Sequence, residues 1–167
     1  MTKQRESEAG LVSIVLPAYN EEMALVPVIE DIRRVVQREG VNHEILLVDD
    51  GSTDRTSEIA RDLGVRVVRH SENRGSGAAR KTGILSARGE IVVMMDADGT
   101  YPAEAIPEAL RYFPDYDQVS GVRNKEFGRL RLLRTFVKWA IRTFASFLAK
   151  TEIPDLNTGF KVFKREV

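Results

Sequence analysis

The chain reads Val92-Val93-Met94-Met95-Asp96-Ala97-Asp98-Gly99-Thr100 where an apolar run meets two carboxylates one residue apart. In an extended backbone, residues two apart point to the same side, so Asp96 and Asp98 can converge on one ligand. Carboxylate oxygens are the ligands that hard divalent cations prefer. The alternative is an acidic turn that simply ends a strand, because Asp and Gly are common there. The stretch therefore predicts a strand followed by a metal site. The motifs in the neighbouring segments decide between this prediction and a simple acidic turn.

Length and composition fit one soluble globular domain or part of a larger protein. Of the 167 residues, 25 are Lys or Arg and 25 are Asp or Glu, and none is Cys. Zero net charge gives no general attraction to nucleic acid, so we expect no such partner. The lack of Cys excludes disulfides and thiolate metal sites. No apolar run reaches the roughly 18 residues of a membrane span, and the polar residues 1–10 read as a disordered tail without a signal-peptide core, which makes the cytoplasm the expected compartment.

Strands and helices alternate along the chain. Five short runs rich in β-branched residues read as strands, at residues 11–16, 44–48, 65–68, 91–95 and 118–122. Helical periodicity falls between them, at residues 23–38, 53–63, 77–87 and 103–112, with Ser52 or Thr53 as the expected N-cap of the second helix. This alternation predicts an α/β fold with a mostly parallel sheet flanked by helices.

Polar clusters at residues 17–22, 49–53 and 96–100 each follow a predicted strand. Ligands of such sheets bind in the crevice beyond the carboxyl ends of the strands, so the three clusters should share one mouth. The first cluster offers a rigid turn, an aromatic face and carboxylates, which suit a nucleotide base and its ribose. An ordinary strand-to-helix loop, with acids in the first helical turn, is the alternative.

The second cluster places Asp49 and Asp50 on a turn, where a carboxylate can accept hydrogen bonds from a base or ribose edge. Its alternative is an Asx-turn that leads into a capped helix. Residues 72–83 add a glycine-rich loop that enters a helix, where free backbone N–H groups can bind anions. Arg74, Arg80 and Lys81 can balance diphosphate charge there, although close packing of the glycines and solvated cations explain the same pattern.

Taken in this order, the clusters resemble the family 2 glycosyltransferases with the GT-A fold, from residue 11 to about residue 163. The resemblance implies a nucleotide diphosphate sugar donor, with Pro17, Tyr19, Glu21 and Asp49 as base and ribose contacts. It also makes Asp96 and Asp98 the D-x-D pair that binds ribose and a Mg²⁺ or Mn²⁺ on the diphosphate. The expected donor-binding set is completed by Ala18, Asn20, Gly75, Lys81 and Ala97.

The nearest branch of that family is the dolichol-phosphate mannose or glucose synthase group, which transfers a sugar to a polyprenyl phosphate. That branch often has Gln where this chain has Thr100, so the resemblance implies no contact to metal or diphosphate at this position. Arg123 matches a strand-end arginine that contacts donor diphosphate or acceptor phosphate, and a surface salt bridge is its alternative. Asp155 matches an acid near the transferred sugar. Asp98, Arg123 and Asp155 are thus the expected catalytic residues.

Residues 127–150 have apolar side chains at helical spacing and six Lys or Arg residues. Such a basic amphipathic helix can lie in a membrane interface or pack on the sheet. Trp139 and the phenylalanines favour peripheral membrane contact, at the cytoplasmic face. We expect residues 11–167 to be a GT-A domain truncated at its C-terminal end, because relatives continue with further helices.

The sequence thus predicts metal-dependent transfer of a hexose from a GDP-mannose or UDP-glucose type donor to a polyprenyl or dolichyl phosphate. Transfer to a sugar hydroxyl is the alternative, and it requires a general base. Two remoter alternatives are a module that only binds donor and a haloacid dehalogenase-type phosphatase, whose first motif Asp96 to Thr100 also fits. The base, the sugar, the exact acceptor and the oligomeric state stay open.

Overall fold

The computed structural model of the chain describes residues 10–113, 115–121 and 158–166. The chain divides into two compact units, one formed by Met1–Ser120 with Gly159–Val167 and the other by Gly121–Thr158. Every helix and strand described here belongs to the first unit. The tail predicted for residues 1–10, apart from Gly10, and the helix predicted for residues 127–150 lie outside the described residues.

Ten elements follow one another in the first unit. They are β1 (Val12–Ala18), α1 (Glu22–Arg38), β2 (His43–Asp49), α2 (Thr56–Asp62), β3 (Arg66–Arg69), α3 (Ser76–Ser86), β4 (Ile91–Met94), α4 (Ala105–Leu110), β5 (Gln118–Ser120) and β6 (Lys161–Lys164). The five strands and four helices predicted from the sequence are all present, with ends that shift by a few residues. The sixth strand, β6, was not predicted.

The six strands form one sheet in the order β3-β2-β1-β4-β6-β5. β1 lies at its centre and pairs in parallel with β2, where Val12 faces His43, and with β4, where Val12 faces Ile91. β6 runs antiparallel between β4 and β5, with Met94 opposite Lys161. The sheet is therefore mixed and mostly parallel, as predicted.

Helices cover both faces of the sheet, which explains why β1 and β4 read as almost continuous apolar runs. α1 turns a stripe with three- and four-residue spacing towards the sheet, through Leu25, Val28, Ile29, Ile32, Val35 and Val36. α3 packs on the opposite face, where a side chain at Gly83 would overlap Val15 Cγ1. Glycine at this position lets the helix backbone approach the sheet closely.

A partly buried polar cluster ties the strands together at the opposite end of β1 from the cleft described below. The Glu44 carboxylate accepts hydrogen bonds from Ser13 Oγ at 2.6 Å and from the Arg88 backbone N–H at 2.7 Å. It also forms an ion pair with Arg66 at 3.0 Å. Burial alone would raise the pKa of Glu44, but these three interactions together lower it below its ordinary value of 4.5. Among the described residues, no helix is both long enough and apolar enough to cross a bilayer.

Candidate functional site

A cleft of about 300 Å³ lies at the carboxyl ends of β1, β2 and β4. Its walls come from Pro17, Ala18, Tyr19, Glu21, Asp50, Asn73, Gly75, Ser76, Ala79, Asp96, Ala97 and Asp98. The three polar clusters singled out in the sequence therefore contribute to one cavity. Parallel strands present their carboxyl ends on the same edge of the sheet, and this is the usual ligand position in such folds.

The loop after β1 is held to the loop after β2 by hydrogen bonds between distant residues. The Asn20 N–H donates to Ser52 Oγ at 3.0 Å, and Asn20 Oδ1 accepts from the Thr53 N–H at 2.8 Å. The Glu21 N–H donates to Thr56 Oγ1 at 2.9 Å. Asn20 has a φ of 57°, a left-handed conformation that Asn tolerates better than most residues. The side chain of Asn20 thus braces the cleft, and direct contact with donor stays a prediction.

The start of α2 differs from the sequence prediction. Neither Ser52 nor Thr53 caps this helix, which begins at Thr56. Instead, Asp54 Oδ1 accepts a hydrogen bond from the Thr56 N–H at 3.0 Å, and Asp54 Oδ2 accepts one from the Glu22 N–H at 3.1 Å. Asp54 thus satisfies backbone N–H groups at the start of two helices, and α2 begins three residues after the predicted start at residue 53.

Asp49, which the sequence analysis assigned to the base or ribose, lies fully buried below the cleft wall. Its carboxylate accepts hydrogen bonds from the Ser52 N–H at 2.8 Å and from Ser57 Oγ, and it pairs with Arg69 at 3.3 Å. The side chain is absent from the cleft lining among the described residues. Its observed partners belong to the turn, to α2 and to β3, and its contact with a nucleotide stays a prediction.

Asp50 is the acid of this pair that lines the cleft. His70 Nδ1 lies 2.6 Å from Asp50 Oδ1, and the backbone N–H groups of Arg74 and Gly75 donate to the carboxylate at 3.0 and 2.8 Å. Burial raises the pKa of Asp50, but the N–H groups and His70 lower it overall. A fixed negative charge therefore holds the glycine-rich loop against the cleft. Asp49 and Asp50 both stand out in the sequence, but only Asp49 was predicted to bind the donor.

Asp96 and Asp98 both line the cleft, but they reach it through a turn rather than through strand alternation. β4 ends at Met94, and the turn contains Gly99 with a φ of 74°. Asp98 Oδ1 accepts a hydrogen bond from the Thr100 N–H at 2.9 Å, and Arg80 donates to Asp96 Oδ1 at 2.9 Å. The sequence allowed Arg80 to bind diphosphate or to be a solvated surface residue. The structure pairs it with Asp96.

Negative charge accumulates at this end of the cleft. Burial and the charges of Asp98, Asp54 and Asp96 raise the pKa of Glu21 above its ordinary value of 4.5. Among the described residues no set of three or more His, Asp or Glu side chains is arranged to hold a metal ion alone. Two hard oxygen donors fit Mg²⁺ or Mn²⁺ bound together with substrate phosphates, which is the common arrangement for Mg²⁺. The donor set of Asp96 and Asp98 therefore fits the expected cation.

The other predicted site residues divide into three groups. Pro17, Ala18, Tyr19, Glu21, Gly75 and Ala97 line the cleft. Lys81 lies on an exposed position of α3 and is absent from this lining. Arg123 and Asp155 lie outside the described residues, so their roles stay predictions. Three further residues line the cleft that were not predicted as site residues: Asn73, Ser76 and Ala79. The glycine-rich loop that contains them was recognised in the sequence, but their side chains carry no distinctive chemistry.

Comparison with known proteins places this geometry among sugar-transferring enzymes. The model of the family described as glycosyl transferase family 2 matches residues 13–167. Dolichyl-phosphate hexose transferase of Haloferax volcanii is 37% identical over 158 residues, covering 93% of this chain and 67% of that protein. Human dolichyl-phosphate beta-glucosyltransferase is 29% identical, with 96% of this chain and 57% of that protein covered. Dolichol-phosphate mannosyltransferase of Pyrococcus furiosus is 32% identical, with 93% and 47% covered.

Among solved structures, the fold is similar to that of glucosyl-3-phosphoglycerate synthase from Mycobacterium tuberculosis in complex with Mn²⁺, uridine-diphosphate and phosphoglyceric acid. The TM-score is 0.71 at 26% identity, with 96% of this chain and 58% of that chain covered. The chain thus spans roughly half to two thirds of the length of these relatives. These matches confirm the GT-A fold that the sequence resemblance implied.

Proposed function

The chain belongs to glycosyl transferase family 2, and from this premise we propose that it transfers a hexose from a nucleotide diphosphate sugar to a polyprenyl or dolichyl phosphate. The observation that carries the proposal is the meeting of Asp96 and Asp98 with residues 17–19 and Glu21 in one cleft. The relatives named for hexose, glucose and mannose transfer to dolichyl phosphate support the acceptor, with 27–37% identity.

The cleft residues have distinct roles in the proposed donor complex. Tyr19 is 44% exposed and offers a ring face to the nucleotide base, as stacking on an aromatic side chain requires. Glu21 and Asp50 lie in the same lining and are suited to accept hydrogen bonds from base and ribose N–H or O–H groups. Pro17, Ala18 and Gly75 add little bulk, which leaves room for the donor. Asp49 and Asn20 support this wall from behind, and Lys81 would meet the diphosphate only at the rim.

Asp96 and Asp98 are the proposed ligands of Mg²⁺ or Mn²⁺, and the backbone of Ala97 lies between them. When bound, the cation neutralises charge on the departing diphosphate. Arg80 holds one oxygen of Asp96 and contributes positive charge to the same region. The acceptor phosphate is anionic at neutral pH, so its attack on the anomeric carbon needs no strong general base. Arg123 would bind one of the phosphates, and Asp155 would orient groups near the sugar.

Calorimetric titration tests the donor site directly. GDP-mannose, UDP-glucose and UDP-N-acetylglucosamine are titrated into the chain with and without Mn²⁺, and into Asp98→Asn. Asp62→Asn is the matched control, because Asp62 is an exposed carboxylate at the end of α2, outside the cleft lining. We expect Mn²⁺-dependent binding of one donor that Asp98→Asn loses and Asp62→Asn keeps. Absence of binding to all three donors would contradict the proposed donor site.

Transfer to a hydroxyl of a small phosphorylated acid is the second candidate function. It is favoured by the likeness to a structure that contains phosphoglyceric acid together with Mn²⁺ and uridine-diphosphate. The two candidates differ in the acceptor alone. Parallel assays with dolichyl phosphate in detergent micelles and with 3-phosphoglycerate in solution separate them, because we expect sugar transfer only to the lipid phosphate.

The proposed acceptor implies a membrane surface as the place of reaction, and we propose its cytoplasmic face. A lipid-linked phosphate resides in a bilayer, and nucleotide diphosphate sugars are water-soluble. Peripheral contact through residues 127–150 is the proposed means of reaching the acceptor.

A further inference from the structure

Gly159 lies directly against the Asp96 carboxylate. A Cβ built on Gly159 would overlap Asp96 Oδ2 and would lie 2.5 Å from Asp96 Cγ and 2.9 Å from Tyr101 Cε2. On the other oxygen, Arg80 donates a hydrogen bond at 2.9 Å. One carboxylate is thus approached by a guanidinium at Oδ1 and by a glycine at Oδ2.

The sheet explains why Gly159 occupies this position. β6 pairs with β4 in an antiparallel register that sets Met94 opposite Lys161. Asp96 and Gly159 each lie two residues beyond this last pair, where the two segments leave the sheet, and a Cβ on Gly159 would meet the Asp96 carboxylate. Space for the carboxylate therefore depends on the missing side chain.

The backbone of Gly159 is itself held in place. Its N–H donates to Tyr101 Oη at 2.6 Å, and the Tyr101 ring lies 6.1 Å from that of Phe160, centroid to centroid. Tyr101 and Phe160 are 8% and 2% exposed. A buried ring pair and a hydrogen bond therefore fix the distance between this backbone and the acid. The φ of Gly159 lies outside the left-handed region, so alanine there would add bulk without backbone strain.

We propose that Gly159 is a positioning residue, which leaves the Asp96 carboxylate room to keep the orientation that Arg80 and the donor complex require. The inference rests on the proposed function for its consequence in donor binding, but not for its geometric content. A larger residue would push Asp96 away from Arg80 and from the point where Asp98 shares the cation. Supporting residues around metal ligands commonly change metal affinity by about 10- to 100-fold when they are replaced.

Gly159→Ala is the decisive variant, with Gly77→Ala as control because a Cβ on that α3 residue meets nothing within 4 Å. In a crystal structure of Gly159→Ala we expect the Asp96–Arg80 separation to exceed about 4 Å. Mn²⁺-dependent binding of UDP-glucose or GDP-mannose should weaken by about 10- to 100-fold, whereas binding of UMP or GMP should not change. Tyr101→Phe, which removes the hydrogen bond and keeps the ring, should weaken donor binding in the same direction.

Three results would overturn the proposal or separate it from the proposed function. An unmoved Asp96 in the variant crystal structure would overturn it. Equal losses of monophosphate binding and thermal stability would also overturn it, because they would indicate a structural role alone. If the wild-type chain bound neither donor, the proposed function would fail, while the crystal structure of Gly159→Ala would still decide whether residue 159 sets the orientation of Asp96.

Discussion

Gly51 lies where two loops of the cleft come closest. Its φ is 74°, and a Cβ there would lie 2.5 Å from the Glu72 carbonyl carbon and 2.8 Å from the Asn73 nitrogen. The turn after β2 therefore needs glycine for two reasons, backbone conformation and the approach of the glycine-rich loop. Gly40 provides a comparison, because it has the left-handed backbone conformation without a close neighbour.

Gly51→Ala should lower the free energy of unfolding by about 1 to 3 kcal/mol more than Gly40→Ala does, because it adds a steric clash to the backbone strain. Gly40 has a φ of 66° and nothing within 4 Å of a built Cβ, so its substitution should cost only about 1 kcal/mol. Urea unfolding followed by circular dichroism measures both values. Equal losses of unfolding free energy in the two variants would show that residues 72–73 move away from the new side chain at residue 51.

Asp50 shows why individual site residues were harder to predict than the cleft. The sequence places two acids side by side on the turn, and nothing in their order tells which one faces the ligand. The difference arises from partners 20 and more residues away, His70, Arg74 and Gly75, which hold Asp50 at the cleft wall. Asp49 is instead held by Ser52 and Ser57.

Asp50→Asn should loosen the glycine-rich loop, because the N–H groups of Arg74 and Gly75 donate to different oxygens of Asp50 and asparagine keeps only one of the two as an acceptor. A hydrogen bond to a charged group contributes about 1.5 to 3 kcal/mol, which bounds the expected loss of unfolding free energy. Amide hydrogen exchange at Gly75 should accelerate more than exchange within β1. Unchanged protection of Gly75 would contradict this account.

At the scale of elements, the alternation of strands and helices could be predicted from the sequence, because the apolar pattern of each element lies within one short segment. The positions of β1 to β5 and of all four helices depend on apolar periodicity within one segment. β6 was missed because Lys161–Lys164 is only four residues long and shows no polar–apolar alternation, and its place depends on β4 and β5 rather than on its own composition. Short strands between distant partners carry too little local signal.

α3 provides a test of close packing between a helix and the sheet. Gly83→Ala should destabilise the fold by about 1 to 3 kcal/mol, because the new Cβ would overlap Val15 Cγ1. Gly77→Ala, in the same helix with open space around it, should be neutral or stabilising by up to about 1 kcal/mol. Val15→Ala combined with Gly83→Ala should recover part of the loss, and additive effects of the two substitutions would contradict direct contact.

The Glu44 cluster makes sheet stability depend on pH in a defined direction. The pKa of Glu44 is lowered in the folded chain, so its interactions contribute fully above the ordinary value of 4.5 and are lost as pH falls through the lower folded value. Between pH 5 and pH 3, as an approximate window, wild type should lose more unfolding free energy than Glu44→Gln. A parallel loss in both proteins would show that the cluster does not carry this dependence.

At the scale of the whole molecule, family and fold could be predicted because the order of three polar clusters is more specific than any one of them. The family match now excludes the phosphatase interpretation of Asp96 to Thr100 as the identity of the chain. The contacts that shape the cleft were not predictable, because they join residues such as Asn20 and Ser52, 32 positions apart. Arg123 and Asp155 stay predictions from the sequence.

Membrane contact is a property of the whole chain, and it is predicted from the sequence of residues 127–150. The wild-type chain should sediment with anionic liposomes. A variant in which Phe144 and Phe147 are both changed to Asp should stay in the supernatant, because its apolar side would then resist burial among lipids. Thermal unfolding checks that the variant remains folded. Liposome binding that persists in the folded double variant would contradict peripheral contact through this segment.

The position of β6 also has a consequence for the order in which the protein takes shape during translation. The nascent chain contains β1 to β4 and α1 to α3 before β6 has been synthesised, and N-terminal segments begin to fold first. Among the described strands, β5 pairs only with β6, so it gains a partner in the sheet late. Gly159 reaches Asp96 with the same segment. A ribosome-bound chain stalled before residue 159 should therefore hold its central strands while β5 still lacks its partner β6 and Asp96 still lacks its contact with Gly159.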